Sequence, residues 1–366
     1  MIPVTKPYFP SRQRLDKYLD GIYGRQWLTN NGQLVRELTV RLEEYLGVRN
    51  LLLVANGTLA LQIAYRALGV SGSGQRSSPE AVTTPFTFVA TASALKWEGV
   101  QPVFADIDPK TWCLNPANIV TTLTRNTRAI VPVHVFGNAC DVETIGRIAD
   151  ERELKVIYDA SHAFGVKIRG QSILDYGDAS TLSFHATKLF HTGEGGAIVF
   201  RYKEDLERAK KMINFGITGP ETIEELGINA KMNELQAAMG LCVLDELEDN
   251  IRGRSHVWHR YKRELPDTVQ LQAQDEAIDY NYAYFPAVFE SEAQLLRVVA
   301  RLKNNGVLGR RYFYPSLESI AFFGAQAEQP VSRYIASRIL CLPIFDQLPE
   351  EDQTKIICLV TEELEK

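Results

Sequence analysis

The sequence has no apolar run near the roughly 18 residues that would span a bilayer, which sets aside a helical membrane protein. It has no surplus of positive charge. Lys plus Arg is 40 and Asp plus Glu is 45, leaving a net charge of −5. A protein that grips nucleic acid by neutralising phosphates needs the opposite balance. Cysteine is scarce: five residues, odd in number and scattered, at Cys113, Cys140, Cys242, Cys341 and Cys358. With no CxxC pair, they read as reduced, packed thiols, not as a disulfide or zinc framework, and no metal site is expected. The opening MIPVTKPYFPSRQR lacks the apolar stretch of a secretory leader, so a cytoplasmic protein is expected. No GxGxxG follows the first apolar strand, which argues against a nicotinamide oxidoreductase. Internal repeats and low-complexity tracts are absent too.

What is there reads as an ordinary globular composition. The chain has 366 residues, 45% hydrophobic and 23% charged, enough for two domains. Residues 1–33 form a Pro- and Gly-punctuated arm. Residues 34–250 are expected to form a large domain and 251–366 a smaller one. Leu34, Val35, Leu38, Leu42 and Leu46 recur at helical spacing, with Gly47 as a stop. Short apolar runs at Leu51–Val54, Ala81–Thr84, Gln101–Ala105, Ala129–Val133 and Lys155–Tyr158 predict strands. Helical patterns fall after Gly57 and over Val89–Trp97, Asn115–Thr122 and Asp141–Glu151. That alternation predicts an α/β fold with a mostly parallel central sheet. Gly69 to Pro79, with Gly72 and Gly74, reads as a surface loop. Gly165–Ile168, Ala179–Ser183 and Ala197–Phe200 read as further strands. Asn233–Arg252 reads as one long helix leading out of the large domain.

Parallel sheets bind ligands at the carboxyl ends of their strands, and polar clusters follow several predicted strand ends. Asn56-Gly57-Thr58 opens a helix; it suits a phosphate, or is a plain N-cap. Asp159 ends a buried strand, where it would hold a protonated ring nitrogen, bind a metal, orient a histidine, or cap a helix. His162 follows three residues later. Densest is Ser183-Phe184-His185-Ala186-Thr187-Lys188, ahead of Gly193-Glu194-Gly195-Gly196. A desolvated Lys188 would be a nucleophile toward an aldehyde; otherwise it is a solvated surface lysine. Ser183 and Thr187 offer hydroxyls to a phosphate, and Phe86 or Phe88 could stack on a ring. An aldehyde and a phosphate on one heterocycle, held by a lysine, an aspartate and a helix terminus, describe pyridoxal 5′-phosphate.

At these residues the chain resembles the DegT-type nucleotide-sugar aminotransferases, pyridoxal-phosphate enzymes of the aspartate-aminotransferase fold (fold type I). The resemblance runs through IPVTKP, WLTNNG, ANGTLALQIA, TPFTFVATASAL, PVHVFGNACD, YDASHAFG, LSFHATKLFHTGEGGA, INAKMNELQAAMG and YFYPSL. It implies that Lys188 is the Schiff-base lysine and proton shuttle and that Asp159 pairs with the ring nitrogen. His162 lies near the ring hydroxyl, Gly57, Thr58 and Ser183 take the phosphate, and Phe88 stacks. Asn229 reaches the phosphate of the neighbouring subunit's cofactor, which implies a homodimer with shared sites and an inactive monomer. Trp27, Thr29, His185, Lys231, Tyr312 and Tyr314 are the candidates for contact with the sugar nucleotide.

Two departures from the commoner family wording stand out. Asn229-Ala230-Lys231-Met232 replaces N-Y-R-M, and Gly193 stands where isoleucine is frequent. Lys188 is retained, whereas a dehydratase branch has histidine there. The implied reaction is ping-pong, from an amino acid, usually L-glutamate, through pyridoxamine 5′-phosphate to a nucleotide-linked keto sugar. The opening is most similar to members that aminate dTDP-4-keto-6-deoxy-D-glucose at C4, of the kind that serve O-antigen and lipopolysaccharide synthesis. A C3 aminotransferase and a sugar dehydratase of the same fold are the competing readings.

Overall fold

The computed structural model describes residues 1–71 and 78–366. Part of the expected Gly69–Pro79 loop, including Gly72 and Gly74, lies outside the described residues. Seven strands form the central sheet in the order Leu51–Val54, Gly196–Phe200, Ala179–Ser183, Lys155–Asp159, Thr127–Val131, Glu80–Thr83, Gln101–Phe104. Only Gly196–Phe200 runs against the rest. The strand residues are apolar on both faces because the sheet is covered on both. Leu51 and Leu53 pack into one core cluster, and Leu52 and Val54 into another. Helices Gly57–Ala67, Ala90–Trp97, Pro116–Thr122 and Val142–Arg152 supply the crossovers. Among the described residues, no helix is long and apolar enough to cross a membrane.

Three expectations need correction. The strand expected at Gly165–Ile168 shrinks to Lys167–Ile168 and leaves the central sheet. It pairs instead with Gln171–Ser172 and Ile278–Asp279. Gly165 has a φ of +73°, a turn conformation that no regular strand continues through. The single helix expected over Asn233–Arg252 is two, Glu234–Asp245 and Leu247–Glu264, with the break at Glu246. Glu246 accepts hydrogen bonds from the Tyr8 hydroxyl (2.7 Å) and the Ser11 amide (3.3 Å), so the break also anchors the N-terminal arm. That arm, in turn, contains a helix, Arg12–Arg25, which its Gly residues obscured.

Helix Leu247–Glu264 runs unbroken past residues 250 and 251. Beyond it, a three-stranded sheet (Gln270–Leu271, Pro286–Val288, Ile339–Cys341) packs with helices Glu292–Asn304 and Glu350–Leu364 around its own core. The start of the chain joins this half: Ile2 bridges Val307, and the Ile344 amide donates to Val4.

Candidate active site

The first strand stops at Val54, and the Asn56 side chain accepts the Leu59 amide at 2.9 Å. Asn56 is thus a true N-cap. The amides of Gly57 and Thr58, at the first turn, have no acceptor within the helix and are free to face an anion. Both glycines at this corner are needed for close approach. A Cβ on Gly57 would lie 2.8 Å from that of Ser183, and one on Gly196 would lie 2.7 Å from the Asn56 carbonyl carbon. The result is a tight cradle built from a helix start and the ends of two strands.

Asp159 ends its strand buried. The Thr91 hydroxyl donates to one carboxylate oxygen (2.7 Å) and the Ser161 amide to the other (3.0 Å). Both donors are neutral, so the carboxylate keeps capacity for a cation. His162 lies parallel to Phe136 and Phe313, with centroids 5.9 and 5.6 Å away. The Phe136 amide donates to its Nδ1 (3.2 Å), which leaves the hydrogen on Nε2. Burial, and then nearby Lys188, hold its proton affinity well below the ordinary value, so the ring is neutral near pH 7.

Lys188 sits in a loop whose geometry explains the glycine-rich tail of its motif. Phe184 and Ala186 donate backbone amides to Gly195 and Gly193, so SFHATK and TGEGG fold against each other. His185 is exposed on this loop, its Nδ1 accepting the Thr187 amide and meeting the Thr187 hydroxyl at 2.8 Å. The Lys188 side chain is partly open, yet protein surrounds it closely. Desolvation lowers its pKa to about 8, against an opposing pull from Asp159. Its Nζ donates to the Tyr284 hydroxyl at 3.1 Å.

These groups line one cleft of about 750 Å³. Of the sequence candidates, Gly57, Thr58, Phe88, Asp159, His162, Ser183, His185, Lys188 and Tyr312 all line it. Trp27, Thr29, Lys231, Tyr314 and Asn229 do not. Trp27, Thr29 and Asn229 are exposed elsewhere on the surface. Lys231 donates to Asn214 (2.7 Å) and lies over the ring of Phe215; Tyr314 lies under the guanidinium of Arg311.

Residues 11–361 match the DegT/DnrJ/EryC1/StrS aminotransferase family. The chain belongs to this family. It is 41% identical to the dTDP-4-amino-4,6-dideoxy-D-glucose transaminase of Shigella dysenteriae, over 98% of each chain. It is 28% identical to the GDP-perosamine synthase of Escherichia coli O157:H7, over 98% of this chain and 96% of that one. The crystal structure of DesI in the presence of its TDP-sugar product superposes with a TM-score of 0.91 at 34% identity, covering 99% of this chain and 92% of that one. The protein is therefore a transaminase of the pyridoxal-phosphate-dependent class.

The cleft of this aminotransferase fits that cofactor on its own chemistry. A buried carboxylate with neutral partners suits a protonated ring nitrogen, and free helix amides beside Ser183 in the glycine cradle suit a phosphate. A lysine with lowered proton affinity suits an aldehyde. Sequence reasoning missed Tyr284, Arg310 and Phe313 in the cleft, and Thr91 behind Asp159. Thr91 was findable, one helical turn beyond Phe88. Tyr284 and Arg310 lie 96 and 122 residues from Lys188, and no local spacing links them to it.

Proposed function

We propose that this aminotransferase moves an amino group from L-glutamate to a nucleotide-linked 4-keto-6-deoxy sugar. The sugar is dTDP-4-keto-6-deoxy-D-glucose, aminated at C4 in two alternating half-reactions. The observation that carries this reading is the placement of Lys188 in one cleft with Asp159 and the Gly57–Ser183 cradle. Full-length similarity to a dTDP-4-amino-4,6-dideoxy-D-glucose transaminase supports the choice of substrate.

Pyridoxal phosphate, when bound, supplies an aldehyde for a primary amine and a ring that withdraws electrons from the neighbouring carbon. Lys188 would hold the aldehyde end and Asp159 the ring nitrogen. Gly57, Thr58 and Ser183 would take the phosphate, neutral His162 would offer Nε2–H, and Phe88 would cover a face. Lys188 then serves as general acid and base. At a pKa of about 8 its amine both accepts and returns a proton near neutral pH. Tyr284 fixes where that nitrogen waits.

A homodimer completes the site in this reading, with Asn229 reaching the partner's cofactor phosphate. Asn229 is exposed near the Ile217–Gly219 and Thr222–Ile223 hairpin, which presents Ile223 at 72% exposure, with Leu226 just beyond it at 68%.

The test is incubation of the holoenzyme with the keto sugar nucleotide and ¹⁵N-labelled glutamate. Label bonded to C4 of the product is expected. Label at C3 would move the assignment to the competing aminotransferase, and deoxygenated sugar without label would make the protein a dehydratase.

A further inference from the structure

Asp159 is fixed at both ends of its backbone. Its amide donates to the Pro132 carbonyl (2.9 Å), and its carbonyl accepts the His134 amide (3.1 Å). What remains to be set is the carboxylate, and Thr91, on helix Ala90–Trp97, reaches it. The Thr91 hydroxyl is fully buried and lies 2.7 Å from Oδ2. The Phe88 carbonyl is also within its reach, at 3.3 Å. A hydroxyl has one hydrogen, and the shorter contact with the charged acceptor takes it. That choice fixes the next bond. Four residues earlier, the Thr87 hydroxyl lies 3.0 Å from that of Thr91. With the Thr91 hydrogen spent on Asp159, Thr87 must be the donor. The two hydroxyls therefore form a directed chain, from Thr87 to Thr91 to Asp159. Thr87 is buried too, and it lines the cleft.

The chain has a consequence for a ring nitrogen that meets Asp159. A carboxylate and a pyridine nitrogen share one proton, and the ring withdraws electrons well only while that proton sits on the ring. Burial works against this state, because it makes the separated charges costly, and Asp159 is buried. A hydrogen bond donated to a carboxylate favours its charged form, so each one moves the balance back toward the ring. Ser161 supplies one from its backbone amide. Thr91 supplies the other from a side chain, and the Thr87 hydroxyl behind it strengthens the bond. Valine has nearly the shape of threonine, so packing alone does not call for a hydroxyl at either position. We infer that Thr91, oriented by Thr87, is a positioning residue that keeps the shared proton on the cofactor's ring nitrogen and off Asp159. This rests on the reading of the cleft as a pyridoxal-phosphate site.

The test follows the ring nitrogen itself, in holoenzyme reconstituted with pyridoxal phosphate carrying ¹⁵N in its ring. Asp159→Asn, whose amide would donate to an unprotonated nitrogen, marks the neutral end of the chemical-shift scale. The parent is expected at the protonated end. Thr91→Val should move the resonance toward the Asp159→Asn position. Thr91→Ser, which restores the hydroxyl, should return it to the parent's. Thr87→Val should move it the same way but less far, and reads the same chain if Thr91→Val does not fold. Rates give a second readout. At saturating L-glutamate, single-turnover bleaching of the visible band should slow about 10-fold or more in Thr91→Val, the loss expected for one hydrogen bond to a charged group. The glutamate concentration giving half the maximal rate should stay within about threefold. A resonance that moves in Asp159→Asn but not in Thr91→Val, or in Thr87→Val where Thr91→Val does not fold, overturns the inference alone. Equal movement in Thr91→Val and Thr91→Ser overturns it too, because packing would then be the cause. A resonance that Asp159→Asn leaves unmoved overturns the reading of the cofactor site, and the inference with it.

Discussion

Lys188 is an amine that the fold holds at a cost. Its ordinary pKa of 10.5 falls to about 8 because desolvation outweighs the attraction of Asp159. The linkage has a definite sign. Below about pH 8 the lysine is protonated in the folded and unfolded chains alike, and the penalty for burying the charge is fully present. Between about 8 and 10.5 the folded chain releases the proton first, so stability rises with pH. Above that window the penalty is gone. At roughly 1.4 kcal/mol per pKa unit, it amounts to up to about 3 kcal/mol. Cofactor-free Lys188→Met should therefore be more stable than the parent near pH 7, by up to about 3 kcal/mol, and nearly equal to it near pH 11. Urea unfolding at the two pH values measures this. A gain of equal size at both would assign the effect to packing instead.

The elements carry that lysine to its place through contacts remote in sequence. Helix Leu247–Glu264 buries Arg254, whose guanidinium donates to Asn250 Oδ1 (2.9 Å) and to the Ala283 and Ile344 carbonyls (3.3 Å each). Asn250 in turn donates to the Leu189 carbonyl (3.1 Å). One helix therefore ties down the chain neighbours of both Lys188 and Tyr284. Asn250→Ala would strand a buried guanidinium N–H and should cost about 1–3 kcal/mol. Arg254→Met, which removes the charge itself, should cost less than an unpaired buried charge would. Urea unfolding of the two variants compares them. At the other end of the cleft, Gly57→Ala forces its methyl against Ser183 and should lose about 1–3 kcal/mol by overpacking. It should also weaken cofactor binding, followed by titration of the visible band.

These same elements divide what was readable in the sequence from what was not. Strand ends followed by a Gly, an Asp or a Ser were visible because local periodicity marks the strand and the next residues mark the turn. The NAKMNELQAA segment was visible as a motif, and the structure gives its physics. Asn233 and Gln236 form a capping box, while buried Glu234 accepts the Leu34 and Val35 amides at 3.0 and 2.9 Å, capping a helix some 200 residues away. The break at Glu246 was invisible because no Gly or Pro marks it, and the partner its side chain takes there, Tyr8, is 238 residues distant. Tyr284 and Arg310 were invisible for the same reason.

At the scale of the whole molecule, the exposed apolar residues of the 215–228 segment call for a partner. Phe215, Ile217, Ile223, Leu226 and Ile228 all face outward, next to exposed Asn229. Singly such residues are ordinary; together they fit the interface that the proposed homodimer requires. If a second copy covers them and Asn229 serves the partner's cofactor, each site draws Lys188 from one chain and Asn229 from the other. Two defective variants should then rescue each other. Lys188→Ala removes the amine, and Asn229→Asp sets a negative charge against a phosphate. Each alone should lose about 10²-fold or more of the wild-type rate. Unfolded together at equal concentration and refolded, half of the dimers are mixed, and each mixed dimer holds one site with both native residues. Activity should return to about one quarter of wild type by that statistics. No recovery, in a mixture that sedimentation finds dimeric, would place both residues of a site on one chain.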